Sequence, residues 1–106
     1  MSLNQIMGGG LLHLMIIKAE LSRDTEYLSD MDPYVEIVYK KEVQRTPILH
    51  NAGKTPEWNI SMNSIVIDLM EDNIKFAVFD KDLMMSELVG EITVKVGTLC
   101  SLDVRK

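Results

Sequence analysis

The sequence predicts an all-β chain folded as a β-sandwich. Short apolar stretches alternate with period two, turn-forming clusters separate them at intervals of roughly eight to twelve residues, and no segment shows a convincing amphipathic helical period. With 106 residues, 46% apolar and 25% charged, the chain can build one hydrophobic core, so a single domain is expected and a multidomain enzyme is not.

The first strand is read from Leu12, Leu14 and Ile16 on one face and His13, Met15 and Ile17 on the other, with Ala19 to Leu21 following. A polar stretch from Ser22 to Asp32 ends at Pro33. Tyr34 to Tyr39, rich in β-branched and aromatic residues, forms the second strand. Lys40-Lys41-Glu42 turns the chain into a third strand over Val43 to His50, and Asn51 to Pro56 is a dense turn signal. Trp58, Ile60 and Met62 open the fourth strand, which continues through Ile65 to Leu69; Ile74 to Phe79 gives the fifth and Leu88 to Val96 the sixth. Residues 1–9 are expected to be disordered or a cloning remnant, leaving residues 10–106 as the domain. Cys100 to Lys106 can add one short strand through Leu102 and Val104.

Charge and composition narrow the function. Sixteen acidic against eleven basic residues leave a net charge of −5, which argues against a surface that neutralises nucleic-acid phosphates. The single Cys100 cannot close an internal disulfide and fits a reducing, cytoplasmic setting; no Cys/His cluster has zinc spacing. Apolar runs fall far short of the roughly 20 residues a spanning helix needs, so any membrane contact is peripheral. No nucleophile elbow or phosphate-cradling glycine loop appears, and no enzyme is expected. His13 and His50 read as ordinary strand or surface residues, and Trp58 as a core or loop anchor.

The most informative segment is Ile74 to Asp82. Residues two apart on a strand share a face, so the apolar row Ile74, Phe76 and Val78 runs directly into Asp80 and Asp82. Two carboxylates beside an apolar interior repel one another and stay ionised when a cation sits between them. Asp32, immediately before Pro33, can stand at the same end of a sandwich, as can Glu26 and Glu87. Oxygen ligands without His or Cys select hard ions, and calcium tolerates irregular geometry better than magnesium. The competing reading makes Asp80 and Asp82 plain turn acids. An EF-hand fails, because no Gly occupies the sixth loop position and the twelfth falls at Glu91, within a predicted strand.

Four segments in order resemble the C2 domain, the calcium- and phospholipid-binding Greek-key sandwich first described as a conserved region of protein kinase C. Gly10 to Ala19 resembles its opening strand. Met31-Asp32-Pro33-Tyr34-Val35 resembles its most diagnostic motif. Arg45-Thr46 followed by Thr55-Pro56-Glu57-Trp58-Asn59 resembles its basic-Thr and Asn-Pro-x-Trp-Asn pair, with Thr55 where Asn is usual. Val78-Phe79-Asp80-Lys81-Asp82 and then Glu87-Leu88-Val89-Gly90 resemble its paired-Asp segment. A complete member has eight strands, so the resemblance implies that one or two C-terminal strands are missing, leaving an open edge that invites a homodimer or strand exchange.

By position, the resemblance implies one or two calcium ions held by Glu26, Asp32, Asp80, Asp82 and Glu87, with backbone carbonyls of Tyr27 and Lys81. Glu26 and Glu87 stand where Asp is usual, and the Asp82 to Glu87 gap is one residue shorter than in synaptotagmin-like members. Each calcium cancels two charges, so one ion takes the formal −5 to −3 and two take it to −1. Leu83, Met84 and Met85 between the acids, with Leu28 in the first loop, are expected to enter lipid once the acids are neutralised. Lys40, Lys41 and Arg45 form a modest basic stretch that could meet anionic lipid. The expected function is calcium-dependent membrane targeting in signalling or trafficking; the alternative is a calcium-independent protein-interaction scaffold with a degenerate metal site.

Overall fold

A computed structural model describes residues 2–8, 10–21 and 30–101. Two antiparallel sheets face each other. One contains β1 (Ser2–Gly8), β2 (Leu11–Lys18) and β5 (Glu57–Ser61) in that order, with β6 (Ile65–Val66) also on β2; the other runs β4 (Glu42–Arg45), β3 (Pro33–Tyr39), β7 (Asn73–Lys81), β8 (Ser86–Lys95). Helix α1 (Val96–Ser101) follows β8. The alternation read from the sequence is the alternation of burial: Leu12, Leu14 and Ile16 of β2 meet Val35, Ile37 and Tyr39 of β3 and Ile74, Phe76 and Val78 of β7 in one core. Removing the fully buried Phe76 ring would cost about 3 to 5 kcal/mol.

Several boundaries differ from the sequence expectation. Ser2–Gly8, expected to stand outside the domain, pairs antiparallel with β2 as strand β1. The third strand stops at Arg45 because Thr46 turns its hydroxyl inward: its Oγ1 accepts the Val35 N–H at 2.8 Å, and Pro47 follows without an N–H to offer. Beyond Ser61 the fourth strand breaks, and Ile65–Val66 returns to β2 as a separate short pairing. Val96, expected to end the sixth strand, instead starts α1, which buries Val96 and Leu99. Residues 102–106, including Leu102 and Val104, lie outside the described residues.

Trp58 is buried and donates its indole N–H to the Pro47 carbonyl at 3.1 Å, so it anchors core and loop together. Next to it Asn59 has φ +49°, where β5 changes register against β2; Asn is one of the few side chains that tolerates this left-handed region.

Candidate functional site

The site begins with the apolar row of β7. Ile74, Phe76 and Val78 are buried, and the next residue on that face, Asp80, is only 3% exposed, so a carboxylate is held at the end of the core. Its position is fixed from both sides: Asp80 lies opposite Pro33 of β3 and opposite Glu87 of β8. Asp32, just before Pro33, closes onto it. The Asp32 N–H donates to Asp80 Oδ1 at 2.8 Å, and the Lys81 N–H donates to the Asp32 carbonyl at 3.0 Å. Asp32 and Asp80, 48 positions apart in sequence, are thus brought together.

The Asn51 to Pro56 turn holds Asp32 from a third direction. The Asn51 N–H donates to Asp32 Oδ1 at 2.7 Å, while the N–H groups of Ala52 and Gly53 both donate to the Met31 carbonyl. Met31 is fully buried beneath. Gly53 needs its freedom here: φ is +65°, and an added Cβ would sit 3.7 Å from the Asp30 carboxyl. These positioning contacts escaped the sequence reading, although the turn signal that makes them was visible.

Asp82 lies one residue beyond β7 and is exposed. Its Oδ1 accepts the Leu83 N–H at 2.8 Å, and its own N–H donates to the Met85 carbonyl at 2.9 Å. These bonds shape a four-residue turn between the last β7–β8 pair, Lys81 and Ser86. The turn throws its apolar side chains outward: Leu83 is 96% exposed, Met84 92% and Met85 69%. Glu87 is exposed at the start of β8. Glu26, Tyr27 and Leu28 lie outside the described residues.

Every acidic candidate described at this pole is a carboxylate with oxygen donors only, the chemistry of a hard divalent cation. Among the described residues, no three or more His, Cys, Asp or Glu side chains converge closely enough to hold a metal by themselves. Each backbone bond above uses one oxygen, and an ionised carboxylate has about four acceptor positions, so a cation and the backbone can share the same group.

The basic candidates do not form one patch. Lys40 and Lys41 make the tight turn between β3 and β4, at the end of β3 away from Asp80, and Lys40 there has φ +51°. Its ammonium pairs with Asp68 at 2.6 Å and Asp72 at 3.5 Å. Arg45 pairs with Glu36 at 2.8 Å. Arg45 also lines a groove of about 250 Å³ with Tyr34, Thr46, Ile48, Lys81 and Ser86, beside the carboxylate pole. Tyr34 stacks on Phe79 at 5.6 Å and donates to Ser86 Oγ, which stiffens the groove wall.

The C2 domain family model matches residues 10–106. The chain belongs to the C2 domain family. Among its curated relatives, the 16 kDa phloem protein 2 of Arabidopsis thaliana is 32% identical over 89 residues, covering 83% of this chain and 60% of that protein. The elicitor-responsive protein 3 of Oryza sativa subsp. japonica is 30% identical over 91 residues, covering 85% and 62%. The chain therefore spans about six tenths of the length of these relatives. Solved C2 structures share the fold: the A-type C2 domain of plant extended synaptotagmin 1 superposes with a TM-score of 0.74 at 20% identity, covering 83% of this chain and 70% of that one. A C2 domain-containing protein from a putative elicitor-responsive gene gives 0.68 at 26% identity, covering 95% and 72%. The family is one of binding modules. Among the described residues of this C2 domain, no helix is long and apolar enough to cross a membrane.

Proposed function

We propose that this C2 domain docks on anionic phospholipid membranes through the Asp32–Asp80–Asp82 pole when calcium is bound there. The observation that carries the reading is the juxtaposition of Leu83, Met84 and Met85, almost wholly exposed, with carboxylates anchored at the core's edge. Apolar side chains at such a tip gain nothing from the fold and gain transfer free energy on entering lipid. Without a cation the neighbouring carboxylates repel the headgroups. Asp32, Asp80 and Asp82 would hold the ion, with Glu26 and Glu87 as outer ligands and the carbonyls of Tyr27 and Lys81 as further oxygens; Leu28 would join the lipid contact. A divalent cation supplies two positive charges and a site for a lipid phosphate oxygen.

Arg45 and Lys81, which share the groove next to this pole, are better placed to receive an anionic headgroup than Lys40 and Lys41 at the far turn. The names of the relatives tie those proteins to phloem and to an elicitor response, and a peripheral membrane adaptor in signalling accords with both.

A second reading rests on a specific observation. Asp32, Asp80 and Asp82 each already accept a backbone N–H, so the same carboxylates can serve as loop staples in a calcium-independent interaction scaffold. Calcium titration calorimetry on the wild type and on Asp80→Asn separates the two. Asn retains an oxygen for the Asp32 N–H and removes only the charge. Heat of binding that disappears in Asp80→Asn supports the calcium reading; no heat in the wild type favours the scaffold.

A further inference from the structure

The methionines whose side chains are described differ widely in exposure. Met84 is 92% exposed, Met85 69% and Met70 46%, Met15 and Met62 are half-buried, and Met31 is fully enclosed. Thioether sulfur reacts with two-electron oxidants wherever they can reach it. Resting on the membrane-docking reading above, we propose that Met84 and Met85 are a modification site at which hydroperoxides switch off membrane binding. The sulfur lone pair attacks the outer peroxide oxygen and the O–O bond breaks. Sulfur gains one oxygen and loses two electrons, and the hydroperoxide is reduced to an alcohol, or to water in the case of hydrogen peroxide, retaining its proton.

The surroundings of the pair make the change specific. Backbone bonds from Asp82 to Met85 and from Leu83 to Asp82 shape the turn and involve neither thioether, so oxidation alters polarity without loosening the loop. A sulfoxide is a strong acceptor, and taking it into an acyl layer that offers no donor is unfavourable. Leu83, the third residue of the tip, has no sulfur and is inert to this chemistry. Met70 lies beyond the opposite end of β7, where oxidation leaves the docking tip untouched.

The test treats the whole chain with hydrogen peroxide, maps oxidised peptides by mass spectrometry, and measures calcium-dependent binding to phosphatidylserine–phosphatidylcholine vesicles. Met84 and Met85 should oxidise first and Met31 last, with vesicle affinity falling at least about tenfold and unchanged thermal unfolding. The double variant Met84→Leu/Met85→Leu should bind equally before and after peroxide, whereas Met70→Leu should lose affinity as the wild type does. Methionine sulfoxide reductases should restore the wild type. Oxidation of Met31 as fast as Met84, or equal loss of binding in Met84→Leu/Met85→Leu, overturns the proposal. If the untreated chain does not bind vesicles, the docking reading itself fails and takes this one with it. If untreated and oxidised wild type bind alike, only the oxidation switch is refuted.

Discussion

Replacing Leu83, Met84 and Met85 together by serine separates what the tip does for the fold from what it does for a membrane. In the folded domain these side chains are 96%, 92% and 69% exposed, so their removal should leave stability within about 0.5 kcal/mol of the wild type. In lipid the same atoms matter. Complete burial of one such side chain contributes about 1.5 to 3 kcal/mol, so half-depth insertion of the three contributes roughly 2 to 4 kcal/mol. That corresponds to about a thirtyfold to thousandfold weaker partition. Co-sedimentation with anionic vesicles at fixed calcium, beside a urea unfolding curve, reads both quantities. A triple variant that partitions as the wild type does refutes insertion. One that unfolds several kcal/mol more easily shows that the tip packs against the domain.

Thr46→Val keeps the shape of a buried side chain and deletes the acceptor of the Val35 N–H, which should cost about 1 to 3 kcal/mol in urea unfolding; Thr46→Ser should recover most of it. Gly97→Ala places a Cβ 3.1 Å from the Met70 carbonyl, which is itself pinned by the Gly97 N–H at 2.7 Å; crowding should outweigh the better helix propensity and cost roughly 1 kcal/mol by thermal unfolding. The hydrogen bond from Tyr39 holds the Asp72 carboxyl below its ordinary range, so its stabilisation is present above the unfolded value near pH 4 and is lost as pH falls through the lower folded value. Burial and the same hydrogen bond raise the Tyr39 phenol, so its contribution is present below about pH 10 and fades as pH rises through the folded value. Tyr39→Phe should flatten both limbs of the stability–pH curve.

The sandwich was legible because period-two burial dominates β2, β3 and β7: the same alternation that marks Leu12, Leu14 and Ile16 in sequence marks them as buried in space. Asp80 was legible for the same reason, as the next residue on an apolar row. Pairing of Ser2–Gly8 with β2 was not, because Asn4 and Gln5 interrupt any apolar alternation and an edge strand needs only one neighbour's backbone. Asp82 shared a face with Asp80 on paper, but β7 ends at Lys81 and the chain turns before the alternation can continue. The roles of Asn51 and Gly53 in holding Asp32 and Met31 depend on backbone N–H groups, which carry no residue-type signature. Lys40, Lys41 and Arg45 looked contiguous because they are close in sequence. A hairpin turn separates them, and Asp68 and Glu36 hold Lys40 and Arg45.

Co-sedimentation of the intact chain with phosphatidylserine-containing vesicles, in calcium and then in excess chelator, tests the proposed membrane switch most directly. Calcium should move the domain onto the vesicles, chelator should release it, and Asp80→Asn should stay in solution throughout. Equal binding in calcium and chelator, or none in either, would contradict it.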